Sequence, residues 1–189
     1  MKHLITPHAR QLGPYYWWEG AFSEEELNSL QDYAQNAKSR GLVGGGKEDA
    51  NIRKSNLYWM DKTPDTSFAF ERLAEVVAKV NLHYAFDLTG FAEHFQLTNY
   101  DGEEQGMYGW HQDFGNGPNR KLSLILQLTD PAEYEGGNLE ILTRGSPLTI
   151  KKQRGLITLF PSYTLHQVTP VTRGTRQTLV TWITGPSFR

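Results

Sequence analysis

The sequence predicts an α+β domain, with helices in its first part and short strands in the remainder. Two patterns carry this reading. Apolar residues recur at helical spacing after a capping signal at Ser23 and again over about 66–84. From residue 90 onward the texture changes to short runs of alternating or β-branched residues punctuated by turns. A chain of 189 residues is long enough for one domain, 1–189, with a buried core.

The first helix begins in Phe22-Ser23-Glu24-Glu25-Glu26-Leu27. Ser23 can cap it, Glu26 closes a capping box, and Phe22 can staple onto Leu27. Leu27, Leu30, Ala34 and Ala37 continue the helical spacing until Gly41 ends the run. Residues 41–50 are too rich in glycine and charge for a regular element, which makes them either a connector or a mobile lid. The second helix buries Phe70, Leu73, Val77, Val80 and Tyr84. Strands are expected at 91–100, 121–129, 137–142, 147–151, 155–160, 166–171 and 175–184. Leu122, Leu124, Leu126 and Leu128 alternate with Ser123, Ile125 and Gln127. The aliphatic face should pack under the helices, while the smaller, partly polar face suits a cavity wall.

Composition is that of a soluble globular protein: 38% hydrophobic, 21% charged, net charge −2. No run of about 18 apolar residues exists to span a membrane. The first twenty residues lack the apolar stretch of a signal peptide, so a cytoplasmic location is expected. With no cysteine, any metal must take histidine and carboxylate. Residues 1–140 carry 12 basic and 21 acidic groups, whereas residues 141–189 carry seven basic groups and no acid. A positive face for nucleic acid is one reading of this split. The favoured one is that interleaved strands mix the two halves in space.

His111 and Asp113 sit two apart, so on a strand both side chains point to one face. A third ligand must come from elsewhere. His3 and His8 lie near the N-terminus and His83 ends a helix, which leaves His94 and His166. His166 is preferred because Arg176 follows ten residues later. Two histidines and a carboxylate leave half of an octahedral iron open. A guanidinium nearby can grip a carboxylate-bearing cosubstrate. Gly174 suggests a tight hairpin with residues 173 and 174 as its loop, pairing 171 with 176 and bringing Arg176 back toward His166. Arg176 shares a strand face with Thr178, Val180 and Trp182, opposite Leu179 and Ile183, so burial there calls for an anionic partner. The pattern is that of an Fe(II) oxygenase using 2-oxoglutarate.

Tyr100-x-Gly102, Tyr108-x-x-His111-x-Asp113, EYEGGNLEI, His166 and RGTRQTLVTWI resemble the prolyl 4-hydroxylase-like 2-oxoglutarate dioxygenases. Within them the chain is most similar to the PKHD-type hydroxylases of bacteria and viruses. The resemblance implies a double-stranded β-helix (a jelly-roll, cupin-like architecture) over about 89–185, with helical support from about 14–88 on its larger sheet. It implies Fe(II) on His111, Asp113 and His166, and 2-oxoglutarate on Arg176, Tyr100 and Gln127. O2 is then the co-reactant and ascorbate a reductant. Retention of Asp113 favours hydroxylation, since related halogenases lack this carboxylate. Arg53, Ser55, Glu93, Tyr108, Arg120 and Trp182 fall where relatives contact peptide. Arg176 and Thr184 stand where collagen-type enzymes usually carry lysine and histidine, which weakens a collagen-like assignment. On the Arg53, Ser55 and Trp182 matches a peptidyl proline is the expected substrate, with a free amino acid or small metabolite the alternative. A nucleic-acid demethylase is disfavoured, because such enzymes carry a second arginine where Trp182 stands. A non-catalytic binding module is disfavoured because all three ligands and Arg176 are present.

Overall fold

The computed structural model describes residues 13–43, 46–115 and 119–187. Its strands are β1 (Tyr16–Trp18), β2 (Ser39–Arg40), β3 (Arg53–Lys54), β4 (Asn56–Met60), β5 (Gly90–Phe91), β6 (Phe95–Asp101), β7 (Met107–His111), β8 (Arg120–Gln127), β9 (Glu135–Gly136), β10 (Leu139–Thr143), β11 (Ser146–Thr149), β12 (Ile157–Pro161), β13 (His166–Val168), β14 (Val171–Arg173) and β15 (Thr175–Thr184). The helices are α1 (Glu24–Ala34) and α2 (Ser67–Tyr84).

Eight strands form the larger sheet, in the order β1-β12-β8-β15-β6-β4-β2, with β5 added beside β15. Five form the smaller one, β11-β10-β13-β7-β3, and β14 and β9 make a separate ribbon. From β6 onward the chain alternates between the two main sheets: β6, β8, β12 and β15 lie in the larger, β7, β10 and β13 in the smaller. That winding is a double-stranded β-helix.

The strand alternation works as the sequence predicts. Leu122, Leu124, Leu126 and Leu128 join Leu179 and Ile183 in one core with Leu27, Leu30, Leu73, Val77 and Val80 of the helices. The helices therefore buttress the larger sheet. Between the sheets lies a second, smaller core containing Ile125, Ile141 and Phe160. Ser23 and Glu26 make the reciprocal capping box, with the Ser23 amide donating to Glu26 Oε2 at 2.8 Å. α2 covers the predicted span; Phe70 is only partly buried and stacks on Phe95 at 3.7 Å between centroids.

Three expectations need correction. α1 stops at Ala34, well before Gly41, because residues 39–40 are drawn into β2 by pairing with Leu57 and Asn56. The segment 14–88 is more than helical support, since it contributes β1 to β4 to the sheets. The hairpin at 173–174 does not form. β14 pairs with β9, whereas β15 pairs with β6 and β8, so the chain changes sheets at Gly174. Gly174 does adopt φ +69°, and a Cβ there would sit 2.0 Å from the Glu133 carbonyl oxygen. A sheet crossover uses glycine's freedom just as a hairpin would.

The two charge blocks mix in space. Lys151 pairs with Glu19, Arg154 with Glu24, and Arg173 with Glu135. Among the described residues, no helix is long and apolar enough to cross a membrane.

Candidate active site

β7 and β13 are neighbours in the smaller sheet, and their register sets His111 directly opposite His166, with ring centroids 4.1 Å apart. Asp113 lies two residues beyond β7, where its backbone N–H donates to the Ser162 carbonyl at 3.0 Å. This turns its carboxylate back toward the histidines: Oδ1 is 3.8 Å from His111 Nε2 and Oδ2 is 3.6 Å from His166 Nε2. One ligand atom from each of the three residues falls within a 4.8 Å group.

The donor atoms are oriented for a cation. His111 Nδ1 lies 2.8 Å from the Gly109 carbonyl and His166 Nδ1 lies 2.9 Å from the Thr164 carbonyl. A carbonyl only accepts, so each Nδ1 carries the proton and each Nε2 lone pair faces Asp113. Burial, reinforced by His166, pushes His111 down to about 3, which keeps its ring neutral. Burial opposes the charge on Asp113, but His166, His111 and the Ser123 hydroxyl hold its carboxyl below the ordinary range. Ser123 Oγ donates to Asp113 Oδ2 at 2.6 Å and touches Ser162 Oγ at 3.1 Å. Two imidazoles that turn Nε2 toward a fixed carboxylate suit Fe(II), and the residues present fit that ion.

His111, Asp113, His166 and Arg176 line one cavity of about 500 Å³, a size suited to small-molecule chemistry. Arg176 is 3% exposed, opposite Tyr100 across the β15–β6 ladder, with its guanidinium carbon 5.5 Å from the Tyr100 ring centroid. Among the described residues it has no carboxylate at ion-pair distance. Gln127 does not reach this cavity. It lies behind Arg176 in a smaller recess, where its Nε2 donates to the Tyr134 hydroxyl at 3.0 Å. Gln127 was expected to share a wall with Tyr100; instead the Arg176 side chain stands between the two spaces.

Most of the residues expected on the substrate side do gather at the mouth. Tyr108 stacks on His111 at 3.5 Å, and the Arg53 guanidinium lies 4.6 Å from the Tyr108 centroid. Arg120 lies over Trp182 at 3.7 Å and is held by Glu93 through contacts of 2.7 and 2.5 Å. Ser55 is buried and outside the cavity lining; it accepts from Arg53 Nε at 2.8 Å and so supports that side chain. Leu42, Val43 and Gly46 of the 41–50 segment border the mouth, while residues 44 and 45 lie outside the described residues. His94 is engaged by Asp61 at 2.7 Å, and His83 stacks on Tyr16. His3 and His8 lie outside the described residues.

Sequence reasoning missed Ser123, Tyr134 and Lys152. Ser123 had a usable signal, since it sits on the polar inward face of β8. Tyr134 had one as well, since it lies in the EYEGGNLEI motif; Lys152 had none, because only the winding of the sheets brings it behind Arg176.

A family model described as the 2OG-Fe(II) oxygenase superfamily matches residues 95–184. A PKHD-type hydroxylase of Teredinibacter turnerae is 36% identical over 152 residues, covering 76% of this chain and 65% of that protein. One from Sphingopyxis alaskensis is 38% identical over 168 residues, covering 82% of this chain and 73% of that protein. The chain thus spans a little under two-thirds of the first relative's length and somewhat more of the second's. A prolyl hydroxylase from Trichoplax adhaerens, solved with a hypoxia inducible factor peptide fragment, superposes with a TM-score of 0.75. At 17% identity over 91% of this chain and 84% of that one, the likeness is one of fold. Relatives, winding and donor set agree: the chain belongs to the 2OG-Fe(II) oxygenase superfamily, in its PKHD-type hydroxylase branch.

Proposed function

We propose that this protein is an Fe(II)- and 2-oxoglutarate-dependent dioxygenase that hydroxylates an unactivated C–H bond of a peptidyl proline. The observation that carries the reading is the meeting of His111, Asp113, His166 and Arg176 in one cavity. His111, Asp113 and His166 would hold the metal, and Arg176 would anchor the far carboxylate of the cosubstrate. Fe(II), 2-oxoglutarate and O2 together supply the oxidising power, with succinate and CO2 as co-products. The chain's own contribution is positioning and exclusion of water. Asp113 is pinned by Ser123 and by the Ser162 carbonyl, which fixes the carboxylate that would help hold the metal at the cavity wall. Tyr108 and Trp182 wall the approach to the site, with the guanidinium groups of Arg53 and Arg120 over their rings.

A peptide substrate is supported by the open, aromatic and arginine-rich mouth, and by the peptide carried in the Trichoplax relative. A free amino acid or small carboxylic acid is the second reading, favoured by Arg53. Its hydrogen bonds go to Ser55, Gln96 and the Leu42 carbonyl, all neutral acceptors, which leaves its charge uncompensated near the site.

The test of the cofactor reading is anaerobic addition of Fe(II) and 2-oxoglutarate. A visible metal-to-ligand charge-transfer band is expected in the wild type and not in the double variant Asp113→Ala/His166→Ala. No band in wild type with verified iron and cosubstrate occupancy refutes the enzyme reading. Substrate class is read from succinate release over proline-containing peptides set against free amino acids; turnover confined to the latter refutes the peptide assignment.

A further inference from the structure

The recess behind Arg176 holds more positive charge than one cosubstrate anchor requires. Arg176, Lys152 and Lys151 border it, and no aspartate or glutamate does. Lys151 turns away to Glu19, at 3.5 Å. Lys152 turns inward: its ammonium lies 4.7 Å from the Tyr134 ring centroid and donates to the Gly136 carbonyl. Tyr134 is 2% exposed and stands between the two cations. Burial, and secondarily the Arg176 charge, holds Lys152 below the ordinary lysine range, which fits two cations within electrostatic reach.

The local backbone is built to allow this crowding. Gly137 adopts φ +59°, and a Cβ there would lie 2.8 Å from Val171 Cγ2 and 2.9 Å from Arg176 Cδ. Any side chain at Gly137 would collide with Val171 and with the Arg176 side chain. Like charges brought together with no acid beside them repel, and a bound anion relieves that repulsion.

We infer that Arg176 and the recess behind it form a two-cation carboxylate site, in which Lys152, acting across Tyr134, joins Arg176 in holding the distal carboxylate of 2-oxoglutarate. The inference rests on the cosubstrate reading above. Arg176 makes the direct contact. Lys152 is a positioning residue that adds charge from the second layer and sharpens discrimination for dicarboxylates over monocarboxylates.

The test compares 2-oxoglutarate with 2-oxopentanoate, which offers the same chelating head and no distal carboxylate. Each acid is titrated anaerobically into the Fe(II)-loaded full chain and followed by the charge-transfer band. Lys152→Gln and Lys152→Met should weaken 2-oxoglutarate roughly tenfold, as expected of one charge attenuated by an intervening ring. They should leave 2-oxopentanoate unchanged, and Lys152→Arg should restore the wild-type ratio. Thermal melts check that each variant is folded. Equal weakening of both acids would mean that Lys152 only props the Gly136 carbonyl, and an unchanged ratio would mean that its charge is not felt; either result overturns the inference while leaving the enzyme reading intact. A wild-type protein with no band for either acid, at verified occupancy, removes the enzyme reading and this inference with it.

Discussion

Arg176→Met should separate stability from function, with opposite signs for the two. In the ligand-free protein Arg176 is 3% exposed and, among the described residues, has no carboxylate at ion-pair distance. Its compensation is the Tyr100 ring at 5.5 Å, worth about 0.5–2 kcal/mol, and the polar groups of the recess. Against this stands an effective desolvation penalty of several kcal/mol for a buried ion. Methionine fills much of the same volume without that penalty. The metal-free, ligand-free variant should therefore be as stable as wild type or up to about 3 kcal/mol more stable. For a chain of this length that corresponds to a rise in melting temperature of between zero and about 10 °C. With Fe(II) present, 2-oxoglutarate at a hundred times its Kd should stabilise the wild type by about 2.7 kcal/mol and the variant hardly at all. Differential scanning calorimetry of both proteins, with and without cosubstrate, reads all four values. A ligand-free variant destabilised by about 3 kcal/mol or more would show that Arg176 is already paired, and the demand for a bound carboxylate would collapse.

Two further outcomes follow from the metal end. Ser123→Ala removes the 2.6 Å hydrogen bond to Asp113 and should lower metal affinity about 10- to 100-fold, measured by anaerobic competition with a chromophoric chelator; unchanged affinity in a folded variant would rule out the positioning role. In the metal-free protein, His111 sits at about 3 against an ordinary 6.5. The unfolded chain therefore takes up a proton that the folded chain refuses between these values, and stability falls as pH drops below about 6.5. Between pH 7 and pH 5 the wild type should lose about 2 kcal/mol more than His111→Gln in urea unfolding, and parallel pH profiles would contradict the assignment.

Long periodic elements were legible in the sequence. α2 and β15 occupy the spans their patterns predict, because eighteen and ten residues average over local exceptions. β2 and β3 were not legible, since two-residue strands carry no periodicity and exist only through their partners. β7 was missed for a related reason: Met107–His111 is half-exposed and includes Gly109, so no alternation marks it. The candidate metal ligands could be singled out, and the structure brings them together, because metal chemistry restricts residue types. The route to Arg176 was misread, since Gly174 signals positive φ but not what the turn connects. Gln127 was placed on the correct face of β8, and the depth at which Arg176 cuts it off from the cavity depends on side-chain reach that alternation does not encode.

β15 carries Arg176 near one end and Trp182 near the other, both facing the same cavity. One strand thus acts as a ruler between Arg176, the proposed cosubstrate anchor, and the mouth. Much of the remaining rim is drawn from Arg40, Leu42, Arg53 and Trp59, which precede β6 in sequence. Reach and selectivity are therefore written in different stretches of chain. Residues 39–60 could be exchanged between relatives to redirect the enzyme to a new target, while the ruler keeps the oxidising centre and its fuel at a fixed separation.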